Sequence, residues 1–172
     1  LNSRLQDPWE RREYTTLPAR AELIREALEK AAASADKEIA RRYAFLAIRL
    51  AHYNNDESTI HSAYKRYYAD RKDRDILDYW ALYFKALRET NAAKRNVQLA
   101  LVFVNAPDKR FVVYQKYNSE IAIVESLQEA VTNEEKSALW VIDGITNPGR
   151  ALENIRNVYS LTPGSPALSA LL

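Results

Sequence analysis

Residues able to perform catalysis are few in this sequence. The chain of 172 residues has two histidines and no cysteine, and its three glycines are too scattered to form a phosphate-binding loop. His52 and His61 are nine residues apart and separated by the polar break at 54–55, unlike two metal ligands one helical turn apart. We therefore predict no catalytic residue, no metal site and no cofactor. An active site built from distant residues is the alternative.

A stripe of basic and aromatic residues is the stronger candidate for a functional site. Arg42, Phe45, Arg49 and His52 are separated by three, four and three positions, which places them on one side of an α-helix. The apolar positions that we predict to be buried on the other side are Ile39, Tyr43, Leu46, Ala47 and Leu50. An outward basic stripe suits an acidic peptide or a terminal carboxylate. An ordinary charged surface is the simpler interpretation.

The tyrosines are a second candidate. Tyr64, Tyr67 and Tyr68 cluster with Lys65 and Arg66, a composition that could stack nucleic-acid bases. Tyrosine at helical spacing more often fills a core while its hydroxyl reaches the edge. No known nucleic-acid-binding module surrounds these residues, so we expect no nucleic-acid partner.

Composition and charge limit the class of protein. A content of 47% hydrophobic and 28% charged residues is typical of a globular chain, and three glycines argue against an all-β design. No apolar window is long enough for a membrane span. Residues 41–74 hold eight Lys or Arg against four acids, whereas residues 118–172 hold three against seven. This polarity could orient a partner or a second subunit.

Residues that favour helix N-termini recur between the apolar stretches. The predicted start sites are Thr16 to Pro18, Asp36, Asp56 or Ser58, Asp73 or Asp75, Asn91, Asp108, Ser119, Thr132 and Asn147. Thr132 and Glu135 fit a capping box, and we expect the helix that follows to end at Gly144. The apolar run 99–104 has strand-like composition, but it lacks partner strands and is predicted to be helical. Core positions predicted in the later helices include Phe111, Tyr114, Tyr117, Val124, Leu152 and Tyr159.

These helices recur in pairs. The first helices of successive pairs are predicted to begin near residues 36, 74, 108, 133 and 166, close to the roughly 34-residue period of tetratricopeptide repeats. The segment 36–107 resembles that family. Trp80 matches the family's first-helix tryptophan, Phe84 a following packing position, and Pro107 the closing proline. The chain is also loosely similar to tetratricopeptide-like proteins of Bacteroidetes bacteria, in the Arg-Tyr-Ala-Phe segment 42–45 and the Tyr-Asn turn after it.

The resemblance implies an all-α fold, a right-handed α-solenoid of about four antiparallel helix pairs. It would form a single domain over residues 1–172. Within it we expect an extended N-terminal arm at 1–15, the two clearest repeats at 36–107 and degenerate repeats at 108–172. The last helix should be truncated at the end of the chain.

The resemblance also implies a function. First helices of such repeats line a concave groove, and the residues assigned to it are Arg42, Phe45, Arg49, His52, Asp78, Lys85 and Arg88. The implied activity is that of a non-enzymatic protein-protein interaction scaffold whose basic groove binds a peptide or protein partner, acidic in character. The alternative is a self-assembling structural subunit, a homo-oligomer in which the basic middle contacts the acidic C-terminal part.

Overall fold

The computed structural model describes residues 15–171, apart from the side chains of residues 169 and 170. The N-terminal arm expected at 1–15 thus lies almost entirely outside the described residues. Over the described range, nine α-helices and a few short 3-10 turns follow one another and no β-strand occurs. The predicted all-α class is confirmed. None of these helices is long and apolar enough to cross a membrane.

The chain divides into two compact units, one up to Lys85 and one from Ala86. The first contains α1 (Pro18–Ala33), α2 (Lys37–Tyr53), α3 (Glu57–Tyr67) and α4 (Ile76–Ala86) except its last residue. α2 packs against both α1 and α3. The buried alanines of α1 and α2 are Ala27, Ala31, Ala40, Ala44, Ala47 and Ala51. Their small side chains permit close helix packing, so α2 is held firmly in place.

Side-chain caps fix where these helices begin. The carboxylates of Asp36, Asp56 and Asp75 accept hydrogen bonds of 2.7–3.3 Å from backbone amides two or three residues further along. Each satisfies an amide that the first helical turn leaves unpaired. These three predicted caps are confirmed. α1 differs, because the Thr16 hydroxyl donates to the carbonyl of Asn54 at 3.2 Å and no side chain caps this helix.

The second unit is built around α5. Its helices are α5 (Ala92–Asn105), α6 (Arg110–Lys116), α7 (Ile123–Glu129), α8 (Asn133–Thr146) and α9 (Ala151–Leu161). α5 packs against α6, α7 and α8, and α8 packs against α9. The apolar run 99–104 lies inside α5 and all of it except Val104 is buried, so the prediction of a helix is confirmed. The capping box of Thr132 and Glu135 is present at the start of α8.

The second unit also corrects several expectations. The side chains that we predicted to be buried but that are exposed are Phe111, Tyr114, Val124, Leu152 and Tyr159. For α6 and α7 the reason is helix length, since each has seven residues and buries one narrow stripe, represented by Val113 and Ser126. In the longer α9 the buried positions are Asn154 and Val158, so Leu152 and Tyr159 lie off the buried side. The final segment forms a 3-10 helix, Pro166–Ala170, where we expected a truncated α-helix.

Gly144 does not end α8, which continues to Thr146. A Cβ atom at position 144 would lie 3.2 Å from the Asn154 Nδ2 atom on α9 and 2.7 Å from Leu171 Cδ2. The glycine therefore allows α9 to approach α8 closely. This is a tertiary role, which the local sequence, interpreted as a helix end, does not reveal.

Candidate partner-binding surface

One face of α2 carries alternating apolar and cationic side chains. Ile39, Arg42, Leu46 and Arg49 follow one another at intervals of three, four and three residues, so they form one line along the helix, which we call the α2 stripe. Ile39 and Leu46 are 47% and 44% exposed, and both arginines are exposed. The prediction that Ile39 and Leu46 are buried is wrong, because the core side of α2 is filled by its alanines and Ile48.

The two arginines of the α2 stripe have no counter-charge within residues 15–171. Neither the Arg42 nor the Arg49 side chain forms an ion pair or a hydrogen bond there, and Glu38, Asp75 and Asp78 are bound to Arg41 instead. A guanidinium group presents five N–H donors in a planar fork that matches a carboxylate. Both side chains can therefore pair with an acidic ligand without first breaking an internal ion pair to a described residue.

An aromatic seam runs between α2 and α4 beside the α2 stripe. The Phe45 ring centroid lies 5.9 Å from that of Trp80 and 6.0 Å from that of Phe84. These are ordinary distances for favourable aromatic pairs. Phe45 and Trp80 are half-buried, so the aromatic seam packs the two helices together and keeps part of its ring surface accessible.

A partly buried ion cluster fixes α2 against α4. Arg41 donates to Asp78 at 2.9 Å, to Asp75 at 2.5 Å and to Glu38 at 2.7 Å. Asp78 also pairs with Arg71 Nε at 2.9 Å. Arg41 and Asp78 are each 3% exposed. We call these five residues the Arg41 cluster, and its charges are compensated within the protein, as buried charges must be.

The Arg41 cluster also perturbs acidities. Partial burial alone would raise the pKa of Asp75, but the hydrogen bond and charge of Arg41, together with two backbone amides, lower that pKa to about 2. Burial raises the pKa of Tyr68, whose hydroxyl donates to the Arg41 carbonyl at 2.5 Å. At neutral pH Asp75 is thus ionised and Tyr68 is protonated, which is the state that these hydrogen bonds require.

Two residues predicted to line an open groove, His52 and Asp78, are buried. The His52 ring lies 5.0 Å from the Phe84 ring, and Asp78 belongs to the Arg41 cluster. Their expected outward orientation is therefore wrong. The cause for His52 is its position on α2, since it shares the side that faces α4 with Arg41 and Phe45.

Lys85 and Arg88 are half-buried. The Lys85 ammonium lies 5.6 Å from the centre of the Tyr64 ring, a cation–π distance that turns it toward α3. Arg88 belongs to the second unit. Of the seven residues assigned to the groove, the structure brings Arg42, Phe45 and Arg49 together on one side of α2, where Phe45 contacts α4 and the two arginines are exposed.

Comparisons with known proteins give no relative. No family model, no curated protein and no solved structure matches the chain. Within residues 15–171, no group of three or more His, Cys, Asp or Glu side chains could hold a metal ion. The structure thus defines an all-α protein with closely packed helices, and its candidate site is the α2 stripe beside the aromatic seam.

Proposed function

We propose that this chain is a non-enzymatic protein-interaction scaffold that binds an acidic peptide or protein segment on the α2 stripe. The observation that carries the proposal is the combination, on one helix face, of two exposed arginines that have no counter-charge among residues 15–171 and two exposed aliphatic side chains. In this proposal the helix pairs stack as a right-handed, tetratricopeptide-like solenoid. α2 and α4 would then be first helices on its concave side.

Both kinds of side chain would contribute to binding. Covering the exposed parts of Ile39 and Leu46 would stabilise a complex by roughly 1 kcal/mol each. An exposed ion pair adds about 0.2–1 kcal/mol, and an arginine that pairs with a carboxylate through two hydrogen bonds also fixes its orientation. Affinity would thus come mainly from the aliphatic side chains, while Arg42 and Arg49 would select for acidic sequences.

Peptide display tests this function without knowledge of the natural partner. Random peptides are selected against the wild-type chain, an Arg42→Glu, Arg49→Glu variant and a matched control, Lys65→Glu, Arg66→Glu. The control makes the same change of charge at exposed positions of α3. We expect the wild type and the control to enrich peptides that combine Asp or Glu with apolar residues, and the stripe variant to lose this enrichment.

Two outcomes contradict the proposal. Equal enrichment by all three proteins would show that the α2 stripe is not the binding surface. No enrichment by any of them would show that the chain does not bind such peptides. Circular dichroism of each variant establishes that its helices are intact before the comparison is made.

A further inference from the structure

The segment 117–135 of the second unit is complementary in charge to the α2 stripe. It contains five glutamates and no lysine or arginine, and we call it the acidic strip. Glu120 and Glu125 are exposed and form no ion pair within residues 15–171. Val124, next to Glu125, is 60% exposed, and Val131 is 85% exposed. The acidic strip therefore presents two carboxylates, of Glu120 and Glu125, that pair with no described residue, together with exposed aliphatic side chains, as the α2 stripe combines guanidinium groups with such side chains.

The acidic strip is held in a defined conformation on α5. Asn96 is completely buried, and its side-chain amide donates to the carbonyl of Asn118 at 2.8 Å. The amide of Asn118 in turn donates to the Asn96 side-chain oxygen at 3.0 Å. This reciprocal pair anchors the start of the acidic strip. A partner that binds an anchored segment loses less conformational entropy than one that must order a flexible loop.

We infer that the α2 stripe of one copy of this chain binds the acidic strip of a second copy. The inference rests on the proposed function, since it names the partner of the same surface. Arg42 and Arg49 would face glutamates, and Ile39 and Leu46 would cover the exposed valines. The two surfaces differ, so the contact is heterologous, and every copy carries one of each. Assembly therefore increases with protein concentration and weakens as salt screens the charges.

Sedimentation velocity over a range of concentrations, at low and at high salt, tests the inference. Four proteins are compared: the wild type, Arg42→Glu with Arg49→Glu, Glu120→Arg with Glu125→Arg, and the Lys65→Glu, Arg66→Glu control. We expect the wild type and the control to associate in a salt-sensitive manner. Each charge-reversed variant should associate at least about tenfold more weakly, because attraction at two positions becomes repulsion.

An equimolar mixture of the two charge-reversed variants is the decisive arm. A glutamate-bearing stripe then meets an arginine-bearing strip, so association should return to the wild-type level. Variants that remain monomeric in the mixture, while the wild type associates, would place the contact elsewhere and overturn the inference. A wild-type chain that stays monomeric at every concentration would also overturn it. Enrichment of acidic peptides in the display experiment would then show that the proposed function survives with a different partner.

Discussion

Replacement of Arg41 by methionine would test whether the Arg41 cluster holds α2 against α4. The substitution removes the hydrogen bonds to Asp78, Asp75 and Glu38. Loss of one partner of a buried ion pair costs about 3–5 kcal/mol when the remaining charge has no other partner. Asp78 keeps Arg71 at 2.9 Å and the amide of Asp75 at 2.7 Å. We therefore expect a smaller loss, about 2–3 kcal/mol of the free energy of unfolding.

Urea denaturation followed by far-ultraviolet circular dichroism measures this loss. The comparison includes Arg41→Met, Asp78→Leu and the double variant. Each single change leaves an opposite charge buried and the double change removes both, so the double variant should be more stable than additivity predicts by about 1–2 kcal/mol. Arg42→Met is the control, because this exposed neighbour should change stability by less than about 0.5 kcal/mol. Strict additivity, or equal losses at positions 41 and 42, would refute the reasoning.

Three further changes probe individual contacts. Asp75→Asn keeps a capping residue and removes a carboxyl whose pKa is lowered from 3.8 to about 2, a shift equivalent to ~2.5 kcal/mol, which exposure of half the side chain reduces to about 1 kcal/mol. This contribution is present above pH 4 and is lost as the pH falls toward 2, so urea titrations should show wild type and variant converging there; a difference that does not change with pH would contradict the assignment. Asn96→Leu leaves both backbone groups of Asn118 without their side-chain partner and should cost about 2 kcal/mol, with faster hydrogen exchange at the Asn118 amide; unchanged exchange would show that the anchor is unimportant. Thr132→Ala removes the capping box and should cost about 1 kcal/mol in thermal unfolding, whereas an unchanged melting temperature would mean that the box adds no stability.

Helix starts could be predicted from the sequence where a side chain caps the helix, because such a cap is a local interaction. The predicted starts at Asp108 and Ser119 are wrong, since α6 and α7 begin at Arg110 and Ile123 without a side-chain cap. Asp36, Asn91 and Thr132 each bond amides within three residues of themselves, so the few residues around each of them contain the whole signal. Gly144 shows the limit of such reasoning. Its role depends on Asn154, on another helix, and the sequence around position 144 carries no sign of that neighbour.

Helix faces were harder to predict than helix starts. A residue advances by about 100° around an α-helix, so an error of one position moves a side chain from the core to the surface. Phe111 is exposed and Val113 is buried in a helix of seven residues, where the four consecutive apolar residues 111–114 point to all sides of the helix and define no phase. In α2, 17 residues long, the apolar residues outnumber the buried positions, so Leu46 remains on the surface.

The α2 stripe itself left a signal that could have been recognised. Ile39 and Leu46 lie at helical spacing from Arg42 and Arg49. Because all four side chains lie on one line, burying the two aliphatic residues would also bury the two arginines in an uncharged core. The burial of Asp78 could not be deduced in this way. It depends on Arg41, which is 37 residues away in the sequence, and no spacing rule connects the two.

The way α2 packs against α4 explains why the arginines of the α2 stripe have no counter-charge among the described residues. Arg41 and Arg42 are adjacent, so one turns toward α4 while the other turns toward solvent. The buried Arg41 must be compensated and takes Glu38, Asp75 and Asp78, which leaves Arg42 without an acidic partner among residues 15–171. An Arg41→Met chain that still folds would release Glu38 and Asp75 to neutralise the stripe. Fluorescence anisotropy with the acidic peptides selected by display should then show weaker binding, although position 41 is buried and contacts no ligand. Unchanged affinity would mean that the stripe is charged independently of the Arg41 cluster.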